Sequence, residues 1–260
     1  MRQDFEVVIL AGGLGTRLRK VVPDRPKVIA EVNGRPFLTF LLDQLLVAGI
    51  ASVTLCVGFK SEQVKAVIGR QYHALSVDYS EEKVPLGTGG ALRLAAESLA
   101  TEWILVMNGD SFIECDLSEY VRWHFVNERS ASIVTTKVPD AHRYGSLELD
   151  ANQRVTAFRE KGQGQRAQVC INAGIYLIPR SMILKQRTGV SCSLEHELIP
   201  ELLIKGLYGY DYAGRFVDIG TEKSFQEAQY FFRPKPLGNS EENICRTSKV
   251  SIHVLGREER

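Results

Sequence analysis

FEVVILAGGLGTRL, residues 5–18, is the most informative stretch of the chain. Its first six residues, Phe5–Leu10, are apolar and predict a short buried strand. Ala11, Gly12 and Gly13 follow directly and predict a glycine-rich turn, because glycine adopts backbone conformations that other residues rarely reach. The stretch therefore predicts a strand that runs into a turn whose backbone can pass close to a ligand.

Beyond this stretch, helical and strand patterns alternate along the first half of the chain. Helices are predicted at 37–48, 61–68, 90–99 and 117–127, and strands at 53–57, 75–79 and 103–107. This alternation predicts an α/β fold with a mixed, mainly parallel central sheet that helices cover on both faces.

The second half of the chain is richer in strand patterns. Strands are predicted at 131–137, 146–149, 155–158, 171–178, 208–212 and 215–217, and helices at 195–204 and 224–232. The segment 233–240 has the composition of a turn or linker. We therefore predict one domain over residues 1–232, with a first half at about 1–130 and a strand-rich second half at about 131–232, and a tail over 233–260.

The overall charge favours no polyanionic partner. The chain of 260 residues has 32 basic and 31 acidic side chains, a net charge of +1, so it has no global field that would attract nucleic acid or a membrane surface. The five cysteines show no C-x-x-C spacing, which suits reduced thiols. The sequence shows neither a signal peptide nor an apolar run of membrane-spanning length, and we expect a cytoplasmic protein.

The glycine turn has the composition of a phosphate-binding loop. Gly12, Gly13 and Gly15 can present consecutive N–H groups to an anion. The dinucleotide fingerprint of dehydrogenases is excluded because its third glycine is replaced by Leu18, and a P-loop is excluded because no Lys follows Gly15. What remains is the pattern G-G-x-G-T-R, followed by a Pro-Lys pair that ends at Lys27.

This combination resembles the signature of the sugar-1-phosphate nucleotidylyltransferases, which make nucleotide sugars. The resemblance implies that Arg17 and Lys27 are catalytic and bind the triphosphate and its reacting α-phosphate. It implies a nucleotide-binding role for Leu10, Ala11, Gly12, Gly13, Gly15 and Thr16. The alternative is that the glycines form an ordinary turn and that both basic residues are solvated surface charges.

A second glycine cluster, PLGTGGAL at 85–92, resembles the loop that closes over the nucleobase in this family. The resemblance adds Pro85, Gly87 and Thr88 to the nucleotide-binding residues. Glu82 stands where relatives specific for thymidine or uridine nucleotides carry Gln. A carboxylate accepts hydrogen bonds, and guanine offers two adjacent donors, so we expect Glu82 to favour GTP. The alternative is an ordinary exposed glutamate.

Two aspartates are candidate ligands of Mg²⁺. Asp110 follows the apolar strand at 103–107, at the edge where open parallel sheets place their ligand sites, and Gly109 beside it is a candidate nucleotide-binding residue. Asp218 follows a second short strand. Mg²⁺ prefers one or two carboxylates together with phosphate oxygens and water, and the family uses such a pair. Each aspartate alone could instead form a turn or cap a helix.

Three further motifs resemble the family's acceptor site: Tyr144-Gly145, the run FREK at 158–161, and NAGIY at 172–176. They imply that the sugar phosphate is bound by Gly145, Glu160, Lys161 and Asn172, and a fifth candidate, Glu195, falls where relatives carry a sugar-contacting acid. A solvated loop is the alternative for Lys161, and helix capping is as good an interpretation of Glu195.

The resemblance covers about residues 5–232 and implies a single Rossmann-like, GT-A-like nucleotidyltransferase domain. The motifs are most similar to those of D-glycero-α-D-manno-heptose 1-phosphate guanylyltransferases; mannose-1-phosphate guanylyltransferases and N-acetylmuramate-1-phosphate uridylyltransferases are alternatives. The partners implied are an NTP, with GTP preferred, and a sugar 1-phosphate. A binding or regulatory protein that has lost catalysis is an alternative of another class, but Arg17, Lys27, Asp110 and Asp218 are all present.

Overall fold

A computed structural model describes residues 5–13, 15, 17–18, 21–138, 144–159 and 169–233. The strands are β1 (Phe5–Leu10), β2 (Glu31–Val32), β3 (Arg35–Pro36), β4 (Ser52–Val57), β5 (Gln71–Tyr72), β6 (Leu75–Glu81), β7 (Trp103–Asn108), β8 (Ser111–Ile113), β9 (Ser132–Val138), β10 (Ser146–Leu149), β11 (Val155–Arg159), β12 (Val169–Pro179), β13 (Tyr208–Asp211) and β14 (Phe216–Asp218).

The α-helices are α1 (Phe37–Val47), α2 (Ser61–Ile68), α3 (Gly87–Ala96), α4 (Leu117–Val126), α5 (Arg180–Leu184), α6 (Ile199–Lys205) and α7 (Glu222–Phe231). A 3-10 turn occupies Lys27–Ile29, and a π-helical turn, Leu194–Leu198, leads directly into α6.

One mixed sheet forms the centre of the domain, in the strand order β11-β10-β12-β7-β1-β4-β6-β5. Its middle strands β7, β1, β4 and β6 are parallel, while β12 pairs antiparallel with β7 and joins β9 and β10 from the second half of the chain. The mixed α/β sheet predicted from the sequence is confirmed. A parallel centre needs helical crossovers, which explains the alternating pattern of the first half.

Helices bury both faces of the sheet. In β1, Val7 and Ile9 pack in the cluster that contains α1, α2, α4 and α7. Val8 points the opposite way and packs in the cluster that contains α3, α5 and α6. Because successive side chains of a strand face opposite sides, a strand covered on both faces must be apolar at every position. This explains the continuous apolar run of β1.

Most predicted elements lie within a few residues of the observed ones, but α3 begins at Gly87 instead of Gly90. Glycine usually weakens a helix. Here the N–H groups of Gly89 and Gly90 donate to the carbonyl of Cys192. The first turn of a helix leaves N–H groups without an acceptor inside the helix, and this contact with a second segment supplies one. The short elements β2, β3, β5, β8 and α5 have no counterpart among the predictions.

Two irregular features shape the edge of the sheet where its parallel strands end. In β12 the pairing register with β9 shifts between Asn172 and Tyr176, around Gly174 with φ of +81°. The short strands β8 and β14 pair antiparallel with each other, and Ser111 lies opposite Asp218. Within the described residues, no helix combines the length and apolarity needed to span a bilayer.

Candidate active site

One cleft of about 570 Å³ opens at the carboxyl ends of the central strands and gathers most of the predicted site residues. Those that line it are Leu10, Gly12, Gly13, Gly15, Arg17, Lys27, Glu82, Pro85, Gly87, Thr88, Asp110, Gly145, Asn172, Glu195 and Asp218. Predicted residues that fall outside the described parts of the chain are Thr16, Glu160 and Lys161.

Ala11 and Gly109 are not among the lining residues. The N–H of Ala11 donates to the carbonyl of Cys56 at 2.8 Å, which joins the glycine turn to β4. A Cβ on Gly109 would lie 2.6 Å from the carbonyl oxygen of Leu10. Both residues therefore support the cleft wall through close packing between neighbouring strands.

The two predicted catalytic cations lie in different environments. The Lys27 side chain is only 14% exposed and forms an ion pair with Asp110. Val28 and Ile29 in the same 3-10 turn are buried, which keeps the backbone at Lys27 in place. Lys27 is therefore not a solvated surface charge. Arg17 is exposed, and a methyl group on Gly220 would lie 3.6 Å from its guanidinium.

Pairing of β8 with β14 brings Asp110 and Asp218 to the same end of the cleft. The N–H of Ile219 donates to the backbone carbonyl of Asp110 at 2.9 Å. Asp218 itself accepts from the N–H of Gly220 at 2.7 Å and from the Ser224 hydroxyl at 2.9 Å on Oδ1. These contacts fix one side of the Asp218 carboxylate.

The remaining Asp218 oxygen accepts from the Tyr144 hydroxyl, whose ring packs edge-on against Phe216. The alternative role of Asp218 as a helix cap is wrong, because Thr221 caps α7. Its turn-forming role is real, since the bond from Gly220 closes a tight turn.

The two aspartates are the candidate carboxylate ligands of a metal ion in the cleft. Within the described residues, no group of three or more His, Cys, Asp or Glu side chains is placed to hold an ion. Mg²⁺ needs only one or two carboxylates and completes its octahedron with phosphate oxygens and water. Asp110 and Asp218 are two such carboxylates, and both line the cleft.

Glu82 lies on the cleft wall and is half-buried, so it is not an ordinary exposed glutamate. Its Oε2 accepts from the N–H of Leu86 at 2.9 Å. Its other oxygen lies against the backbone: a Cβ on Gly58 would be 2.5 Å from Oε1, and one on Gly12 would be 3.2 Å away. Burial raises the pKa of Glu82, and the hydrogen bond from Leu86 partly opposes that shift.

The predicted base-binding loop is hydrogen-bonded to the segment 190–194. The N–H groups of Gly89 and Gly90 donate to the carbonyl of Cys192 at 2.8 and 3.1 Å. A Cβ on Gly87, whose φ is +70°, would lie 2.6 Å from the same oxygen. The N–H of Leu194 donates to the Thr88 hydroxyl at 2.9 Å. These glycines therefore admit a second backbone segment as well as leaving the cleft open.

On the opposite side of the cleft, Asn172 is held by its own strand. Its Oδ1 accepts from the N–H of Gly174 at 2.8 Å, and its Nδ2 donates to the Tyr176 hydroxyl at 2.6 Å. Glu195 lies in the π-helical turn that Ser193 caps, so the capping role falls to Ser193. A Cβ on Gly145 would lie 2.7 Å from the ring of Phe158, which explains the glycine there.

The cleft also includes residues to which the sequence assigned no role. These are Val28, Cys56, Ala91, Asn108, Ser111, Tyr144, Ser193, Leu194, Phe216, Gly220 and Thr221. Most adjoin a predicted residue, as Asn108 and Ser111 flank the Gly109-Asp110 pair. The sequence offered only this proximity to a predicted residue as a sign that they line the cleft. Which neighbours face the cleft is decided by how the strands pair in the folded protein.

Comparison with known proteins places this architecture in one family. The nucleotidyl transferase family model matches residues 6–234. D-glycero-alpha-D-manno-heptose 1-phosphate guanylyltransferase of Aneurinibacillus thermoaerophilus is 33% identical over 226 residues, which cover 86% of this chain and 97% of that protein. Mannose-1-phosphate guanylyltransferase of Mycobacterium tuberculosis is 35% identical over 224 residues, 85% of this chain and 62% of the relative.

The fold comparison agrees with the sequence comparison. HddC from Yersinia pseudotuberculosis, in its crystal structure complexed with GMP-PN, superposes with a TM-score of 0.78 at 31% identity and covers 88% of this chain and 99% of that one. The family model and a relative above 30% identity that is matched over almost its full length thus indicate the same family. The chain belongs to the nucleotidyl transferase family.

Proposed function

We propose that this enzyme transfers a guanylyl group from GTP to D-glycero-α-D-manno-heptose 1-phosphate and releases pyrophosphate. The observation that carries the proposal is the Lys27–Asp110 ion pair, which lies in a cleft lined by Glu82 on one side and by Asn172 on the other. The heptose 1-phosphate guanylyltransferase relative and the GMP-PN complex of HddC support the choice of substrates.

The reaction needs charge and alignment more than proton transfer. An ionised phosphate oxygen of the sugar phosphate attacks the α-phosphorus of GTP, and the bond to pyrophosphate breaks, so no side chain has to remove a proton. Lys27 is placed to offset the charge of the α-phosphate, and Arg17 that of the departing pyrophosphate. Gly13 and Gly15 line the same space, and their N–H groups are candidate donors to the phosphates.

We further propose that Asp110 and Asp218 hold Mg²⁺. When bound, the ion would neutralise phosphate charge and help align the two substrates. Asp218 is already oriented by Tyr144, Gly220 and Ser224. The Lys27 ammonium forms an ion pair with the other carboxylate, that of Asp110.

Base selection is assigned to Glu82. Guanine presents its ring N1–H and its exocyclic amine side by side, and an ionised carboxylate can accept from both. The half-buried position of Glu82 strengthens such contacts, because water competes less there. Its bond from Leu86 fixes the carboxylate but leaves further acceptor capacity.

The domain assignment remains part of the proposal. We assign nucleotide binding to the half at about 1–130 and sugar-phosphate binding to about 131–232. The cleft draws its lining from both halves, with Glu82 in the first and Asn172 in the second. The tail from residue 233 is assigned no part in the chemistry.

The experiment is pyrophosphate release with Mg²⁺ across GTP, UTP, CTP, ATP and dTTP against manno-heptose, mannose and glucose 1-phosphates. We expect release with GTP and the heptose phosphate, and a loss of GTP preference in Glu82→Gln, whose amide has one acceptor oxygen and an NH₂ group that can only donate. Equal release with mannose 1-phosphate would instead favour the activity of the relative from Mycobacterium tuberculosis. A folded protein that is silent across the matrix would contradict the proposal.

A further inference from the structure

The buried hydroxyl of Tyr176 lies behind the cleft wall and contacts two asparagines of the lining. Tyr176 belongs to β12 and its side chain is fully buried. Asn172, four positions earlier in the chain, donates its Nδ2 to this hydroxyl at 2.6 Å. The Asn108 amide, at the end of β7, also interacts with it. One buried hydroxyl therefore joins two cleft amides that come from different strands.

The side chain of Asn108 is directed toward β12. Its backbone is paired with Leu10 of β1, on the nucleotide side of the sheet. Its Nδ2, however, lies where it would be 2.9 Å from a Cβ on Gly174, and its amide reaches Tyr176 in the same strand. Asn108 thus faces the strand that carries Asn172, which is the acceptor side of the cleft.

The Asn172 amide keeps hydrogen-bonding capacity for a ligand. In Asn172, the bond from the N–H of Gly174 identifies the oxygen, and the bond to Tyr176 identifies the nitrogen. A primary amide has two donor hydrogens and two acceptor lone pairs, so each end retains one position. A sugar hydroxyl both donates and accepts, which matches a pair of oriented amides.

We propose that Asn108 binds a hydroxyl of the acceptor sugar together with Asn172, and that Tyr176 is the positioning residue that orients both amides. This inference rests on the proposed function and names a specificity-determining residue within the same site. Asn108 is part of the cleft lining, whereas Tyr176 is fully buried and acts through the asparagines.

The test measures KM separately for GTP and for the sugar 1-phosphate that gives pyrophosphate release. Asn108→Ala is expected to raise the KM for the sugar phosphate by about threefold to tenfold, the effect of one lost neutral hydrogen bond, and to leave the KM for GTP unchanged. Tyr176→Phe is expected to shift the same constant in the same direction. Asn152→Ala, an exposed turn residue outside the cleft, is the matched control.

Deoxy analogues of the sugar phosphate identify the contact. With the analogue that lacks the bound hydroxyl, Asn108→Ala should cause no further rise in the KM for the sugar phosphate. With the other analogues it should still raise that KM. In the Asn108→Ala/Asn172→Ala background, Tyr176→Phe should have no added effect on the KM for the sugar phosphate, because it acts only through those amides. A purely structural role would lower the melting temperature and change both KM values alike.

The two proposals fail in different ways. If the parent enzyme releases no pyrophosphate with any sugar 1-phosphate, the proposed function is overturned, and the inference falls with it. If the parent is active while Asn108→Ala shows parental KM values, or raises both KM values equally, only the inference is overturned. A Tyr176→Phe effect that persists in the double-alanine background would overturn the positioning role.

Discussion

At the scale of single residues, the Lys27–Asp110 ion pair concentrates the chemistry of the cleft. The Lys27 ammonium is largely buried, and Asp110 is half-buried. In such a setting a charge interacts more strongly with a phosphate than it would in water. The pair also holds both side chains in the cleft before substrates arrive.

Replacing Lys27 by Met should therefore damage catalysis more than folding. We expect kcat/KM to fall on the order of 10²-fold to 10³-fold, as for loss of one preorganised electrostatic contact. Lys65→Met is the control, because Lys65 pairs with Glu62 and Glu81 outside the cleft. Steady-state pyrophosphate release measures both variants. Equal losses in the two variants would show that the loss does not depend on the position of Lys27 in the cleft, and would contradict its catalytic role.

Glu82 should make GTP binding sensitive to pH. Burial raises the pKa of its carboxyl, so the proton is taken up at a higher pH than in an ordinary glutamate. The protonated group loses the ability to accept from guanine at both oxygens. We expect the KM for GTP to rise as pH falls. The rise should reach about tenfold once the charge-assisted hydrogen bonds from guanine to the Glu82 carboxylate are lost.

The comparison variant for this pH dependence is Glu82→Gln. Its amide does not titrate, and it experiences the same changes in GTP ionisation, so the ratio of KM values in parent and variant isolates the carboxyl. A ratio that stays constant between neutral and acidic pH would exclude Glu82 as an ionised guanine contact.

At the scale of elements, the first turn of α7 combines helix capping with support of the candidate metal site. Thr221 caps the helix, and Ser224 completes the capping box. The Ser224 hydroxyl, fully buried, also contacts Asp218. The start of this helix is therefore coupled to the orientation of a carboxylate at the end of β14.

Two variants separate these roles. Ser224→Ala and Thr221→Ala should each lower the free energy of unfolding by about 1 kcal/mol through loss of the cap. Only Ser224→Ala removes a direct contact to Asp218, so we expect it to weaken metal affinity by about tenfold. Mn²⁺ binding followed by EPR, beside urea unfolding, measures both effects. Equal metal affinities in the two variants would contradict the supporting role of Ser224.

At the scale of the whole molecule, stability should depend on a histidine inside the core. His124 is fully buried between α4 and the sheet, where its Nδ1 shares a hydrogen bond of 2.7 Å with the Ser132 hydroxyl. The Tyr120 hydroxyl meets the same serine at 2.8 Å. Burial, aided by the charge of Arg129, lowers the pKa of His124 to about 4. The folded protein therefore holds this imidazole neutral.

The sign of the resulting pH dependence follows from that shift. Between about pH 6.5 and pH 4 the unfolded chain binds a proton at His124 that the folded chain does not, so acidification favours unfolding. From pH 7 to pH 5 we expect the parent to lose about 2 kcal/mol more than His124→Gln. Exposed His73→Asn is the control, and urea unfolding measures all three. If the free energy of unfolding changed with pH in the same way in the parent and in His124→Gln, His124 would not be the source of the pH dependence.

Local sequence patterns sufficed for much of the fold and for the identity of many cleft residues. The apolar run of β1, the glycines after it and the helical patterns of α1 and α2 each span a few consecutive residues. They can therefore be recognised in the sequence without knowing which distant segment they pack against. Likewise, Asp110 was a candidate from the sequence because it lies two residues beyond the end of a buried parallel strand.

Only the tertiary structure decided how distant segments meet. Pairing of β8 with β14 sets Asp218 beside Asp110, and the contact of Cys192 with Gly89 places the segment 190–194 on the base-binding loop. Strand register and backbone approach depend on packing across the whole core, which no local pattern encodes. For the same reason the sequence assigned no role to Asn108, and it showed Tyr176 only as the last residue of a motif, without its contacts to Asn108 and Asn172. The chain alone determined which chemical groups are available, and the fold determined which of them share the cleft, because contacts between remote strands form only when the sheet is complete.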